Sequence, residues 1–350
     1  REKPQDRLEW ETMADRQSGK DELEKMSGGL VHKYSVNEDT YIRSSLSATY
    51  SRDHTVVDQQ TDDKQVPVAD IRNSRWDLIF NSYLNMKFSP QLNYDLDYQV
   101  SRYFGLNRPM EQISKGNGKS TAISAYSSSV INLNNNLTTS LGVTAQYFTL
   151  NNNFSIEPRV ALKWKINPKQ SLALAYGLHS RREKLDYYYV EKVVNGKKLS
   201  NRYLDLSRAH HFGLTYDWNI NQNLHLKVEP YFQYLFHVPV EEKSSFSVIN
   251  YEEFYLDRIL VNTGKGRNYG IDITLEQYMK NGFYYMITGS LFKSKYRGGD
   301  NVWRNTRLDK GYLLNLLAGK EWMVGKLKQN VLSLNGRLYF QGGGRYTPVN

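Results

Sequence analysis

The residues of this chain that could do chemistry fail, pattern by pattern, to assemble into a site that makes or breaks a bond. There is no cysteine, no Gly-x-Ser-x-Gly elbow and no His-Glu-x-x-His pair. That removes thiol nucleophiles, the serine-hydrolase turn and the helical zinc-protease motif. Lys115-Gly116-Asn117-Gly118-Lys119-Ser120 has the tail of a phosphate-binding loop, but the first glycine of that motif would fall at Ile113. No buried strand precedes it, so it reads as a flexible loop. Gly264, Gly266 and Gly270 miss the dinucleotide spacing and lead into a strand pattern instead of a helix. His210 and His211 are adjacent in a strand pattern and point to opposite faces, so they do not make a metal site with His237. Asp95 and Asp97 share a face and read as carboxylates turned to water or to an inserted segment, not as a hydrolytic pair. Tyr187, Tyr188 and Tyr189 stand beside Arg181 and Arg182 at the start of a long connection. Rings and cations together suit ligand stacking or an interfacial aromatic girdle. The sequence thus predicts no enzyme, no cofactor and no metal.

The elements that carry these residues are strands. In Phe154–Ser180, Phe154, Ile156, Val160, Leu162, Trp164 and Ile166 alternate with Ser155, Glu157, Arg159, Lys163, Lys165 and Asn167. Side chains of a strand point alternately to opposite faces, so this is a ribbon with one apolar and one charged side. Asn167-Pro168-Lys169-Gln170 is turn chemistry, and Leu172, Leu174, Tyr176 and Leu178 resume the alternation. The same pattern recurs at Ile42–Tyr50, Trp76–Phe88, Leu92–Val100, Leu137–Tyr147, Phe212–Ile220, Leu224–Phe236, Tyr269–Leu275, Phe283–Leu291, Tyr312–Trp322 and Leu332–Phe340. It is weaker at Thr121–Ile131, and His32–Val36 reads as the end of one more strand. Pro230 removes a ladder donor and predicts a bulge.

About thirteen strands result, with connections that alternate short and long. The long ones run through Ser51–Arg75, Tyr103–Ser120, Arg181–Ala209, Val238–Arg267 and Lys293–Lys310. Short turns at one end and long loops at the other are the plan of a transmembrane barrel. A soluble sandwich has no reason to keep its long loops together. Apolar residues make up 39% of the chain and form no run long enough for a membrane helix, which excludes a helical membrane protein. A barrel strand needs only about 9–11 residues with alternate ones apolar. The 27 tyrosines exceed the 13 phenylalanines, as suits an interface where one end of the ring is wet. The net charge of +10 is dispersed without a basic arm or helix, so no nucleic-acid partner is expected. The charged opening to Met26 reads as a loop with at most a short helix, residues 1–29 as an extracellular loop, and residues 30–350 as barrel. No secretory signal is visible, so the sequence predicts a segment of a longer precursor.

At NFSIEPRVALKWKINPKQSLALAYGLHSR the chain resembles the Glu-Pro-Arg hairpin of TonB-dependent outer-membrane receptors of the Bacteroidetes type. NTGKGRNYGIDITLEQYMKNGFYYMITGSLFKSKY is similar to that family's Gly-Lys-Gly-x-x-Tyr-Gly strand and hairpin, and WRNTR and GGGRYTPVN to its late barrel. The resemblance implies an all-β, antiparallel barrel of 22 strands around an N-terminal plug, following a carboxypeptidase-regulatory-like domain. This chain would supply about 13–14 strands, its middle and later part, since it shows no plug, coupling box or aromatic-ended last strand.

The resemblance also implies residence in the outer membrane of a Gram-negative bacterium. The activity it implies is import of a scarce nutrient (siderophore, cobalamin, glycan or peptide) powered by the inner-membrane TonB complex. The partners would be outer-membrane lipid, the protein's own plug, TonB and the small nutrient. On this reading Arg159, Lys163, Lys165, Lys227, Glu229, Asp272 and Glu276 line the lumen and face the plug. Arg181, Arg182, Tyr187, Tyr188 and Tyr189 are candidates for substrate contact in a loop. Two rivals stay open: a passive channel of about fourteen strands counting Leu30–Val36, and a secreted β-rich binding or adhesion protein.

Overall fold

The alternation of Phe154–Ser180 becomes a hairpin in which apolar residues face one another across the ladder, Val160 with Tyr176, Leu162 with Leu174 and Trp164 with Leu172. The turn is held by Asn167, whose Oδ1 accepts from Lys169 N at 2.9 Å. Thirteen of these pairings, repeated strand to neighbour, build one meandering antiparallel sheet in a computed structural model. It describes residues 17–35, 41–60, 65–83, 86–102, 111–194, 196–251 and 256–345. Asp95 and Asp97 fall where side chains lie outside the described residues, as does the opening segment 1–16.

The strands are β1 (Gln17–Ser35), β2 (Tyr41–Gln60), β3 (Gln65–Tyr83), β4 (Met86–Arg102), β5 (Glu111–Asn132), β6 (Leu137–Phe148), β7 (Asn153–Asn167) and β8 (Gln170–Arg181). A four-residue helix α1 (Leu185–Tyr188) and a small separate hairpin, β9 (Glu191–Val194) and β10 (Lys197–Ser200), decorate the next connection. Then come β11 (Ser207–Asn219), β12 (Leu224–Val240), β13 (Val261–Lys280), β14 (Phe283–Arg297), the short β15 (Trp303–Asn305) beside β14, β16 (Tyr312–Val324) and β17 (Asn330–Gln341). Fourteen strands pair in the order β1 to β8, β11 to β14, β16, β17. β1 and β17 each have a neighbour on one side only among the described residues.

Turns at one end are tight. Asn281 and Gly282 both take positive φ (53° and 72°), the two-residue hairpin turn that matches strand twist. Asn221 Oδ1 accepts from Asn223 N and Leu224 N at 2.9 and 3.0 Å. The extended connections 182–206, 241–260 and 298–311 all leave from the opposite end. That one-sidedness is the barrel plan. The expected apolar face is outward: Phe154, Leu162 and Trp164 are 52%, 39% and 48% exposed, so among the described residues no second sheet covers them.

Several expectations are corrected. Residues 17–29, expected in a loop, belong to β1. Ser51–Arg75 is mostly ladder, with β2 and β3 paired out to Gln60 and Gln65. The Lys115–Ser120 stretch is not a flexible loop, since β5 starts at Glu111. β13 begins at Val261, well before Tyr269. In each case backbone pairing continues past the stretch of apolar alternation, since ladder bonds do not require apolar side chains. Pro230 makes no bulge. The register to β13 runs unbroken through Pro230 and Ile271, and the ladder to β11 lapses without a shift between Gly213/Tyr231 and Tyr216/Val228. The register shifts of β12 lie further on, between Leu235 and Val240.

The packed core lies in the loops. Leu185, Tyr187, Tyr188 and Val190 bury against Leu204, Leu256 and Leu260, and against Ile71 of β3 and Phe148 of β6. A connection that leaves β8 and packs on β3 and β6 must lie across the concave side of a curled sheet.

Candidate ligand chamber at the loop end

Under that loop core lies a chamber of about 830 Å³. Arg75 and Asp77 reach it from β3, His179 and Arg181 from β8, His211 from β11, Leu235 and Val238 from β12. Arg182–Leu185 and Tyr187 roof it from one long connection, and Val248, Ile249 and Tyr251 from the next. Two asparagines clasp these connections together. Asn201 Nδ2 donates to Arg258 O and its Oδ1 accepts from Leu260 N, both at 2.8 Å. Asn262 Oδ1 accepts from Asp205 N at 2.8 Å, and its Nδ2 donates to His237 O at 2.8 Å. Each amide satisfies backbone groups that an irregular loop would otherwise leave buried and unpaired.

The lining is basic: Arg75, Arg181, Arg182, Lys184 and Arg208 stand against the carboxylates of Asp77 and Glu183. Arg75 Nε is 2.8 Å from Asp77 Oδ2, and Arg181 is 3.5 Å from Glu183. Glu183 also accepts from Ser207 Oγ at 2.6 Å. Desolvation pushes the Arg182 guanidinium below its usual range, with its charge over the Phe148 ring at 5.8 Å. Burial raises the Tyr187 phenol, and Lys184 Nζ stands 5.8 Å from its ring. A chamber with surplus cations, two phenolic rings and an apolar back wall is equipped to hold a small anionic or hydrogen-bonding solute.

Below it a second cavity of about 490 Å³ is lined by Arg159, Gly177, Tyr231 and Gln233. His179 and His211 line both cavities, their rings 4.5 Å apart. Arg159 faces Gly142 on one neighbour and Gly177 on the other, and a Cβ on Gly177 would stand 2.7 Å from Nε2 of the His179 ring. Beside it Glu157 is 1% exposed. The β7–β8 ladder ends at Arg159/Gly177, and past that fork Glu157 Oε1 accepts from Ser180 N at 3.1 Å and from Gln146 Nε2 at 2.6 Å. Asp272 lines a third cavity of about 410 Å³ with Asn268 and Phe292.

Of the residues expected to matter, Arg181, Arg182 and Tyr187 come together at the chamber. Tyr188 lies in the loop core, its hydroxyl accepting from Glu183 N at 3.2 Å, and Tyr189 packs against the same core. Neither lines the chamber. Arg159 and Asp272 line inner cavities. Lys227 pairs with Glu229 at 2.8 Å, Glu276 stands opposite His225, and Lys163 and Lys165 are exposed near the turn end. His210 stacks outward between Tyr176 and Phe236, and His237 pairs with Asp205 at 2.7 Å. Glu157, Arg75, Asp77, His179 and Tyr251 were not singled out from sequence. The Glu-Pro-Arg tripeptide was the signal for the first.

No family model and no curated protein matches the chain. Solved structures do. The pyoverdine outer membrane receptor FpvA of Pseudomonas aeruginosa aligns over 91% of this chain and 50% of its own, at TM-score 0.63 and 10% identity. The ferric yersiniabactin uptake receptor FyuA of Yersinia pestis aligns over 90% and 49%, at 0.56 and 12%. The ferric-catecholate import receptor Fiu of E. coli aligns over 87% and 52%, at 0.55 and 9%. The chain spans about half the length of the structures it matches. At such identities the likeness establishes a shared fold, an all-β antiparallel barrel.

Proposed function

We propose that this chain forms much of the wall of a TonB-dependent outer-membrane receptor that imports a small, scarce nutrient into a Gram-negative cell. The observation that carries the reading is one of sidedness. Apolar side chains stand exposed on the convex face, and the extended connections close over a basic chamber on the concave one. The first suits lipid and the second suits capture of a solute. Arg181, Arg182 and Tyr187 contact the nutrient as it enters. Arg159, Lys163, Lys165, Lys227, Glu229, Asp272 and Glu276 face a plug that fills the concave space. Energy comes through that plug from TonB. No bond is made or broken, so the protein is a transporter and not an enzyme.

Uptake measurements decide it. Cells with and without the gene are compared for uptake of ferric chelates, cobalamin, glycans and peptides, in backgrounds with and without TonB. Uptake of one class that disappears in either null strain supports the reading. Uptake that persists without TonB overturns it in favour of a passive channel.

A further inference from the structure

The outward face of β13 and β14 carries more than apolar residues. Along β13, Ile273, Ile271, Tyr269, Arg267 and Lys265 succeed one another on that face. Along β14 they are matched by Gly289, Leu291, Lys293, Lys295 and Arg297, in register. Each row is about 7 Å beyond the last. Apolar side chains therefore give way to an aromatic row, where Tyr269 lies between Phe232 and Lys293. Two rows of cations follow, Arg267 with Lys295 and Lys265 with Arg297.

These five cations have little to neutralise them. Lys293 Nζ is 3.9 Å from Asp309. Lys265, Arg267, Lys295 and Arg297 form no ion pair among the described residues, and Nε of Arg267 and of Arg297 is buried without a hydrogen-bond acceptor. Arg267 instead lies 3.9 Å over the ring of Trp303, which pairs with Arg297 across the β14–β15 ladder. A cation on the lipid face costs about 2–4 kcal/mol at mid-bilayer and about 0–1 kcal/mol at the interface, so this cluster marks headgroup height. The aromatic row beneath it is where rings sit at a membrane surface.

We propose that this patch binds a phosphorylated lipid of the outer leaflet, with phosphate oxygens between Arg267, Lys295 and Arg297 and acyl chains along Tyr269, Ile271 and Leu291. Guanidinium groups suit phosphate because their paired N–H donors match its oxygens. Free phosphate would use only the upper rows. The occupant that uses the whole strip carries both charge and acyl chains. The inference rests on the convex face being the membrane face.

The test is native mass spectrometry of the full chain in uncharged detergent. It is offered dioleoyl phosphatidic acid, dioleoyl glycerol or inorganic phosphate. Phosphatidic acid adducts should be retained, and K295Q/R297Q should reduce them about tenfold, the scale of losing charge-assisted hydrogen bonds. The opposite-face variant K163Q/K165Q should leave them unchanged. Equal retention of dioleoyl glycerol, displacement of the lipid by inorganic phosphate, or no loss in K295Q/R297Q overturns the proposal. Labelling of Leu162→Cys by a water-soluble maleimide in vesicles reads the membrane face separately. If that cysteine is protected while the lipid result fails, only the headgroup site is lost.

Discussion

Glu157 and Ser180 meet where two strands part: the carboxylate of one accepts from the backbone N–H and the hydroxyl of the other, just beyond the last β7–β8 pair. A side chain thus takes over from the ladder. Glu157→Ala takes the acceptor from that part-buried N–H, a loss of about 1–3 kcal/mol, and leaves the Gln146 amide only its longer bond to Ser180 O at 3.4 Å. Glu157→Gln keeps one acceptor oxygen and should cost less. Urea unfolding from lipid vesicles should rank wild type above E157Q and E157Q above E157A. Equal midpoints for all three would show that water fills the fork.

Leu162 and Lys163 are neighbours in sequence on opposite faces, and the two should respond in opposite ways. On the proposed membrane reading, Leu162→Arg puts a charge against lipid at a cost of about 2–4 kcal/mol. Lys163→Leu removes a charge from an exposed concave site and should shift the midpoint by less than about 0.5 kcal/mol. The same vesicle unfolding assay reads both. If Lys163→Leu were the damaging change, the faces would be reversed.

The sheet was legible because a sheet with one apolar face imposes a strict period of two, and Phe154, Leu162 and Trp164 obey it. The turns at Asn167, Asn221 and Asn281–Gly282 were legible because their chemistry is local. The ends of the strands were not. Gln17–Gly29, Ser51–Gln60 and Val261–Asn268 continue the ladder outside the apolar band, where pairing comes from the backbone and leaves no mark in hydropathy. The chamber was half legible. Arg181, Arg182 and Tyr187 declared themselves by clustering, whereas Arg75 and Asp77 join them only through a curl that brings β3 to β8. Tyr188 looked like its neighbours in sequence, and only loop packing sends it into a core.

That packing makes Tyr188 the residue on which the roof of the chamber depends. It is 1% exposed and meets Phe148 edge-on at 5.3 Å between ring centroids. Tyr188→Ala empties an aromatic site, a loss of about 3–5 kcal/mol. The barrel wall has its own ladder and should survive. Hydrogen exchange should therefore accelerate in 182–206 and 256–260 and stay slow in β7, β8 and β12. Burial also raises the Tyr188 phenol to about 12. The stability it lends is complete below its ordinary value and lost as pH rises through about 12, so wild-type protection of 182–206 should fall over that interval.

Asp186, one residue from Tyr187, gives a second pH dependence, on the acid side. Desolvation in the loop core raises its carboxyl above the ordinary carboxylate value. The folded loop therefore holds a proton more tightly than the unfolded one, and its stability falls as pH rises through the raised value. Hydrogen exchange in 182–206, corrected for intrinsic rates, should show more protection at pH 4 than at pH 7. Asp186→Asn removes the charge but keeps an acceptor for the backbone N–H groups of Asp186 and Tyr187. The variant should be more protected than wild type at pH 7 and should lose most of the difference between the two pH values. Protection at pH 7 that falls below wild type in the variant would mean that the charge of Asp186 stabilises the roof.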